Sequence, residues 1–190
     1  MLPLFLFFNH LTAADYYWIG GSGNWSDISH WATTSGGNIT HAQAPGSDDD
    51  VFFDANSFTG PGQTVTMNTD IIFCRDMDWS GATGNPTLTG GTSVTIMIYG
   101  SLRLIDAMNY SMAGSVVFTG DLPDNTVDFA DNTAGLNLTF AGGGSWQLTA
   151  PVSVDSTLFF NEGTLSTNDQ AITTGYFRSD TDANRTLQLG

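Results

Sequence analysis

From about Thr64 to the end, the chain consists of short runs in which apolar and polar residues alternate. Gly, Asn, Asp and Ser separate these runs, which is the pattern of half-buried strands joined by turns. No run shows the 3.6-residue apolar stripe of a helix, so the sequence predicts an all-β protein. The alternating apolar positions are Val94, Ile96 and Ile98; Leu136, Leu138 and Phe140; Trp146 and Leu148; Val152 and Val154; Leu158 and Phe160; Leu187 and Leu189.

Several of these apolar positions recur at a step of about 20 residues, a period typical of a solenoid in which each repeat forms one coil. A step of this size joins Ile96 to Val116 to Leu136, Leu138 to Leu158 to Phe177, Trp146 to Leu165, and Val152 to Ile172. We therefore expect a right-handed parallel β-helix, with Ile96, Val116, Leu136, Leu138 and Leu158 in inward-facing ladders. A β-sandwich with evenly spaced strands is the alternative.

The chain divides into three predicted segments. Residues 1–14 combine an apolar run with small residues at the end, which predicts an export signal cleaved after Ala14; an apolar first strand is the alternative. Residues 15–62 are rich in aromatic residues and glycine and are expected to cap the first coil. Residues 63–190 are the predicted β-solenoid coils. We expect further coils beyond Gly190, because the predicted strand RTLQL at the end would otherwise leave an open edge.

The charge of the chain limits its partners. Nineteen acidic residues against four arginines, with no lysine, give a net charge of −15 and a pI of about 4.1. Such a chain cannot neutralise a phosphate backbone, which excludes a nucleic-acid partner, and it is repelled by an anionic membrane surface. Since no apolar run reaches the length of a membrane span, the mature chain is not expected to insert into a bilayer. Cys74 is the single cysteine, and its alternation with Ile72 predicts a buried thiol.

Acidic residues provide two candidate sites. Asp48, Asp49, Asp50 and Asp54 form either a calcium site, since Ca²⁺ takes six to eight oxygen ligands, or a solvated turn before the strand VFF. No other cofactor is expected. Asp76 and Asp78 flank Met77 and are expected to point the same way along a strand. Paired carboxylates in a groove are typical of polysaccharide-cleaving enzymes, so these two residues are catalytic candidates, and an exposed solvated pair is the alternative.

Aromatic and histidine residues concentrate near the start of the predicted mature chain. Trp18, Trp25 and Trp31 either form a platform on which sugar rings stack or pack together as a cap. His30 and His41 are too few and too far apart in sequence for a zinc site, and we expect them to be ordinary loop residues.

A set of phrases resembles a known class of surface proteins. YWIGGSGNWSDISHW, PGSDDDVFFDANSF, CRDMDWSGATGNPTLTG, SLRLI, GTLSTNDQAITTGYF and NRTLQLG occur in this order. Together they resemble the N-terminal region of large bacterial β-solenoid repeat proteins exported by type IX secretion, and the first two also resemble autotransporter-like adhesins. The resemblance implies extracellular β-solenoid architecture and a surface or adhesin-like role. We therefore expect a non-enzymatic structural or adhesive segment of an exported cell-surface protein, whose surface or polysaccharide ligand is unidentified. The resemblance carries over no catalytic residue. The alternative function is a carbohydrate-active β-helix that binds or cleaves acidic polysaccharide.

Overall fold

The computed structural model describes residues 13–190, so most of the predicted export signal lies outside the described residues. These residues form strands and a single turn of 3-10 helix, Ile28–His30. The strands are β1 Asp15–Trp18, β2 Gly23–Asn24, β3 Trp31–Ala32, β4 Asp50–Phe52, β5 Thr64–Met67, β6 Ile71–Cys74, β7 Met77–Asp78, β8 Thr87–Gly90, β9 Thr95–Ile98, β10 Leu102–Arg103, β11 Asn109–Met112, β12 Ser115–Phe118, β13 Asn125–Asp128, β14 Asn137–Phe140, β15 Ser145–Leu148, β16 Val152–Phe160, β17 Gly163–Ser166, β18 Ile172–Arg178 and β19 Arg185–Gln188.

The strands form three sheets that wind into a parallel β-solenoid of about six turns, as predicted. Sheet A has the order β19-β17-β15-β13-β10-β7-β4-β1-β3, sheet B the order β11-β8-β5-β2, and sheet C the order β18-β16-β14-β12-β9-β6. Neighbours within a sheet come from successive coils, so each coil pairs with the coils on either side of it. Only β1 and β3 pair antiparallel among the named strands of residues 13–190.

The core is a set of inward columns, each with one residue per coil. In sheet C one column places Ile96 beside Val116, Val116 beside Leu138, and Leu138 beside Leu158, all of them buried. The predicted pairs Trp146–Leu165, Val152–Ile172 and Leu158–Phe177 are also in register. The alternation of buried and outward residues is therefore the same in successive coils, as the period of two requires.

The prediction for Leu136 is wrong. Its side chain is 40% exposed, and Leu138 instead is the partner of Val116, so this coil is longer than the preceding one by two residues. The extra residues lie in the loop between β12 and β13, because the segment from Phe118 to Val127 is five residues longer than the corresponding segment from Ile98 to Leu102. The segment from Val127 to Leu138 is shorter by three residues, and it contains the turn at Gly135, whose φ is +84°. This turn breaks the alternation immediately before β14 begins at Asn137, and it leaves Leu136 outside the strand.

The corners between sheets bring successive coils into close backbone contact. Gly163 has a φ of +87°, and a Cβ at this position would lie 2.4 Å from the carbonyl oxygen of Gly142 in the preceding coil. A Cβ at Gly142 would in turn lie 2.2 Å from the carbonyl oxygen of Gly120. No side chain fits these positions, so glycine is required at this corner for the coils to stack.

Strands of the predicted capping segment belong to the solenoid sheets. β1 and β4 pair in parallel within sheet A, and β2 pairs with β5 in sheet B. β3 then pairs with β1 and occupies the outer edge of sheet A at this end of the solenoid. Behind these strands the rings of Trp18, Trp25, Trp31 and Phe53 pack on one another with centroid distances of 4.7–6.0 Å.

The opposite end of the solenoid is formed by β18 and β19. Each is the last strand of its sheet and pairs with a single described neighbour. The inward columns continue into these strands, where Phe177 lies beside Leu158 and Leu187 beside Leu165. Both Phe177 and Leu187 are exposed, because within residues 13–190 no further coil covers them.

The corrected register predicts different effects for two leucines that are two residues apart. Leu138→Ala removes a fully buried member of an inward column and should lower the free energy of unfolding by about 2–5 kcal/mol. Leu136→Ala removes an exposed side chain and should change it by less than about 0.5 kcal/mol. Urea denaturation of both variants and the wild type measures this. Equal losses, or a larger loss for Leu136→Ala, would contradict the register described here.

Candidate functional site

The predicted carboxylate sites meet on the outer face of sheet A. Strands β1, β4, β7, β10 and β13 are in register there, which aligns their outward residues in two columns. The first, which we call the inner column, contains Asp15, Asp50, Asp76, Ser101 and Thr126. The second, the outer column, contains Tyr17, Phe52, Asp78, Arg103 and Asp128. Asp76 and Asp78 lie on either side of the buried Met77, on the same face of the sheet as expected.

Side chains of the inner column bind the backbone of the next coil. Oδ1 of Asp50 accepts a hydrogen bond from the backbone N–H of Asp76 at 3.2 Å. Oδ1 of Asp76 accepts one from the N–H of Ser101 at 2.6 Å, and Oγ of Ser101 accepts one from the N–H of Thr126 at 3.0 Å. Four successive coils are therefore joined by side-chain acceptors in addition to the sheet ladder. These hydrogen bonds stabilise the stacking of the coils.

Arg75 neutralises the most buried carboxylate of this column. Its Nε donates to Oδ1 of Asp50 at 2.7 Å and its Nη2 to Oδ2, which gives a bidentate ion pair. The hydrogen bond to Asp50 is the main cause that raises the pKa of Arg75. Because Asp50 is buried, removing Arg75 would leave an uncompensated charge in the protein, a costly arrangement.

The pKa of the Asp76 carboxyl is also changed by its surroundings. Burial raises the pKa of its carboxyl, and the neighbouring Asp50 adds to this, whereas the hydrogen bond from Ser101 and the charge of Arg75 oppose it. A raised carboxyl pKa is a property that a general acid needs. However, Asp76 already accepts a backbone hydrogen bond, and Oδ1 of Asp78 accepts one from the N–H of Ser80 at 2.6 Å. Each carboxylate of the candidate pair thus has a structural partner.

A groove of about 420 Å³ runs beside the outer column. It is lined by charged residues on both sides of Arg103, together with small and apolar ones: Ser80, Leu104, Ile105, Asp106, Asp128, Ala130, Asp131, Thr149, Ala150, Pro151 and Gln170. Within residues 13–190, Arg103 forms no ion pair. Three aspartates in the same lining outnumber this single cation, so the groove as a whole is acidic.

The acids proposed for calcium have separate partners. Asp49 accepts hydrogen bonds from the backbone N–H groups of Ala14 and Gly46, at 3.0 and 2.9 Å, and Asp50 pairs with Arg75. Oδ1 of Asp54 accepts from the N–H of Asn56 at 2.8 Å, while Asp48 is exposed. Among residues 13–190, no group of three or more acidic, histidine or cysteine side chains is placed to hold a metal ion. Calcium binding by the four acids stays a prediction.

The three tryptophans proposed as a sugar platform are buried. Trp18, Trp25 and Trp31 are at most 2% exposed, so their rings have no free face on which a sugar could stack. The indole N–H groups of Trp18 and Trp31 donate to the carbonyl oxygens of Gly21 and Trp25, at 2.7 and 2.8 Å. Of the two interpretations of this segment, the arrangement corresponds to a packed aromatic cluster at the end of the solenoid.

The histidines and the cysteine are part of the packing. His30 stacks on Trp18 at a centroid distance of 4.6 Å, and His41 stacks on Tyr16 at 3.6 Å. One ring nitrogen of each is within hydrogen-bond distance of a backbone carbonyl oxygen. Cys74 is fully buried, which confirms the expectation from its alternation, and burial raises the pKa of its thiol strongly. An unreactive thiol follows, because the thiolate is the nucleophilic form.

Sequence reasoning missed the bonds between coils in the inner column. The steps from Asp50 to Asp76 and from Asp76 to Ser101 are longer than the step by which the columns of sheet C were identified. Asp50, Asp76 and Ser101 share a local signal in the sequence. Each is a short polar residue immediately before a buried apolar residue of the same inward column of sheet A, and these apolar residues are Val51, Met77 and Leu102.

Comparison with known proteins finds no match for this chain. No protein-family model matches the chain, and neither the curated proteins nor the solved structures include a significant match. Within residues 13–190, no helix is long and apolar enough to cross a membrane.

The raised pKa of Asp76 predicts a pH-dependent effect of Asp76→Asn. The folded state binds this proton more tightly than the unfolded chain, so the ionised carboxylate lowers stability at neutral pH. This cost disappears as the pH falls through the folded pKa towards the unfolded value of about 3.9. Asparagine keeps an acceptor for Ser101 without the charge, so the variant should be more stable than the wild type at pH 7, with the difference shrinking towards pH 4.

Chemical denaturation across this pH range measures the difference, and Asp78→Asn is the matched control on the same strand face. A destabilised Asp76→Asn at pH 7, or a difference that does not depend on pH, would show that burial does not determine the behaviour of this carboxyl.

Proposed function

We propose that the chain is a non-enzymatic structural and adhesive segment of an exported bacterial cell-surface protein. Its solenoid is a rigid rod that displays long, regular columns of side chains to the outside. The family resemblance of the quoted phrases supports the extracellular setting. The outer faces of the rod bind the surface to which the cell attaches.

The main support for this proposal is that carboxylates on the outer face of sheet A form bonds within the protein. Asp50, which is buried, and Asp76, which is half-buried, accept hydrogen bonds from the backbone of neighbouring coils, and Asp50 is also neutralised by Arg75. These carboxylates are held in position by the backbone of the next coil, whereas a general acid or base has to reach a substrate and exchange its proton with it. The strongest electrostatic interactions on this face therefore favour a structural role.

The alternative function, binding or cleavage of acidic polysaccharide, has one feature in its favour. The groove beside Arg103 is large enough for a sugar residue, and Arg103, which forms no ion pair within residues 13–190, can pair with a carboxylate there. Against it, Asp106, Asp128 and Asp131 line the same groove, and the whole chain carries a charge of −15. A polyanion would be repelled both at long range and within the groove.

Gene deletion in the source bacterium tests the proposal. Protease treatment of intact wild-type cells should remove the chain, since we expect it outside the cell. The deletion strain should attach to surfaces several-fold less than the wild type, and the wild-type gene should restore attachment. Crystal-violet staining of attached cells and immunoblots of protease-treated cells measure the two effects.

Complementation with Asp78→Asn separates adhesion from catalysis. Because Asp78 accepts only a local turn hydrogen bond, an asparagine there should fold and restore attachment fully. Purified protein should release no reducing ends or unsaturated products from polygalacturonate. Product release that Asp78→Asn abolishes would establish the enzymatic alternative, and protection of the chain from protease on intact cells would contradict the surface location.

A further inference from the structure

The outer face of sheet C is chemically unlike the rest of this acidic molecule. Its six strands are paired in parallel, and outside a bulge between Val154 and Thr157 of β16 their register gives two outward columns with one residue per coil. The first contains Ile71, Thr95, Ser115, Asn137, Thr157 and Tyr176, of which Thr157 is buried. The second contains Phe73, Met97, Val117, Thr139, Phe159 and Arg178. We call this surface, formed by both columns, the sheet C face.

The two columns contain no acidic residue, although the chain has nineteen, and the one acid in the strands of sheet C is the exposed Asp155 at the bulge of β16. Arg178, at the end of the second column, is the one charged residue of these columns, and it pairs with Asp180 at 3.0 Å. Large apolar and aromatic side chains are exposed on the sheet C face: Ile71 is 50% exposed, Phe73 37% and Tyr176 70%. Met97, Val117 and Phe159 between them are half-buried. Since outward strand residues are usually polar, this many apolar side chains on one face indicates a contact surface.

The size of the face restricts what can bind to it. Six strands at about 4.8 Å spacing and about four residues of 3.3 Å each give an area of roughly 24 by 13 Å, or about 300 Å². A stable protein–protein interface needs about 800 Å² on each partner, so this face is too small for a second copy of the chain. It does fall within the roughly 300–600 Å² of functional patches on monomers. A narrow and flat ligand fits it.

The side chains of the face define the chemistry of that ligand. Phe73 and Phe159 lie in the same column four strands apart, which is about 19 Å along the solenoid axis. Their rings offer apolar surfaces at both ends, while Thr95, Ser115 and Asn137 offer hydroxyl and amide groups between them. Sugar rings have apolar faces and hydroxyl edges, and so they match this alternation. A face whose one charged residue, Arg178, is paired with Asp180, on a chain of net charge −15, favours a neutral ligand over a polyanion.

We propose that the sheet C face binds a neutral, extended polysaccharide chain that lies along the solenoid axis. This inference rests on the proposed adhesive function and names its ligand class. The sugar rings contact the column of Phe73, Met97, Val117 and Phe159. The hydroxyl groups bond to the neighbouring column, and each coil contributes one further position of contact.

Affinity electrophoresis of the whole chain in gels that contain hydroxyethyl cellulose tests the proposal, with polygalacturonate as the anionic comparison. We expect the neutral polymer to retard the wild type and polygalacturonate not to. The double variant Phe73→Ser/Phe159→Ser should bind about tenfold more weakly. Its matched control is Tyr17→Ser/Phe52→Ser, which removes a stacked outward pair from sheet A and should bind like the wild type.

A second pair of variants keeps the test decisive if the double variant is unstable. Val117→Glu places a charge in the middle of the sheet C face without removing a ring, and it should abolish retardation. Thr66→Glu places the same charge on a half-buried outward position of sheet B and should have no effect. Melting curves of all variants establish that they are folded.

The possible results distinguish a wrong ligand class for the sheet C face from a wrong adhesive function of the chain. Lack of retardation of the wild type by the neutral polymer, or equal retardation of Val117→Glu, would overturn the inference. Stronger retardation by polygalacturonate would overturn the choice of a neutral ligand. If cells still depend on the chain for attachment in any of these cases, the adhesive function stands and its ligand is of another kind. Loss of attachment with Val117→Glu, but not with Thr66→Glu, supports both.

Discussion

Backbone pairing between successive coils is the interaction on which this structure depends. Among the described residues, every strand of sheets B and C finds its partner in a neighbouring coil. A strand's hydrogen bonds are therefore formed only when its neighbour is in place, and the register of one coil determines that of the next. Because side chains alternate across a strand, this register also determines which residues face the core and which face the solvent. The inward columns and the outer faces are two results of the same pairing.

The three outer faces consequently differ in chemistry along their whole length. Sheet A displays Asp50 and Asp76, which bind the next coil, and sheet B displays threonines at Thr64, Thr66, Thr87 and Thr89. The two columns of sheet C display apolar, aromatic, hydroxyl and amide groups, and the one acid in its strands is Asp155 at the bulge of β16. Each column places one side chain per coil at the strand spacing of about 4.8 Å, so a linear polymer along the axis meets a contact position at regular intervals. A solenoid with such faces is suited to binding extended ligands, which is the basis of the proposed adhesive role.

The fold could be predicted from the sequence because its dominant signals are local and repeated. The alternation at Val116 and Leu138 indicates strands, and the recurrence of such positions at a nearly constant step indicates coils. The prediction for Leu136 is wrong because the period is an average, and a longer loop between β12 and β13 lengthens this coil by a net two residues. The candidate sites were harder to predict. Whether Trp18 is buried and whether Asp76 bonds to Ser101 depend on which coils become neighbours, and this is not visible in the local pattern.

Hydrogen exchange resolved by strand tests the dependence on pairing between coils most directly. β9, β12 and β14 have paired neighbours on both sides, whereas β18 has one described neighbour. If pairing between coils holds the fold together, amides in β9, β12 and β14 should exchange slowest, and those in β18 and β19 fastest, with a gradient from the middle of the solenoid to this end. Leu138→Ala should accelerate exchange in its neighbours β12 and β16 as well as in β14. Uniform exchange along the solenoid, or acceleration confined to β14, would contradict the account.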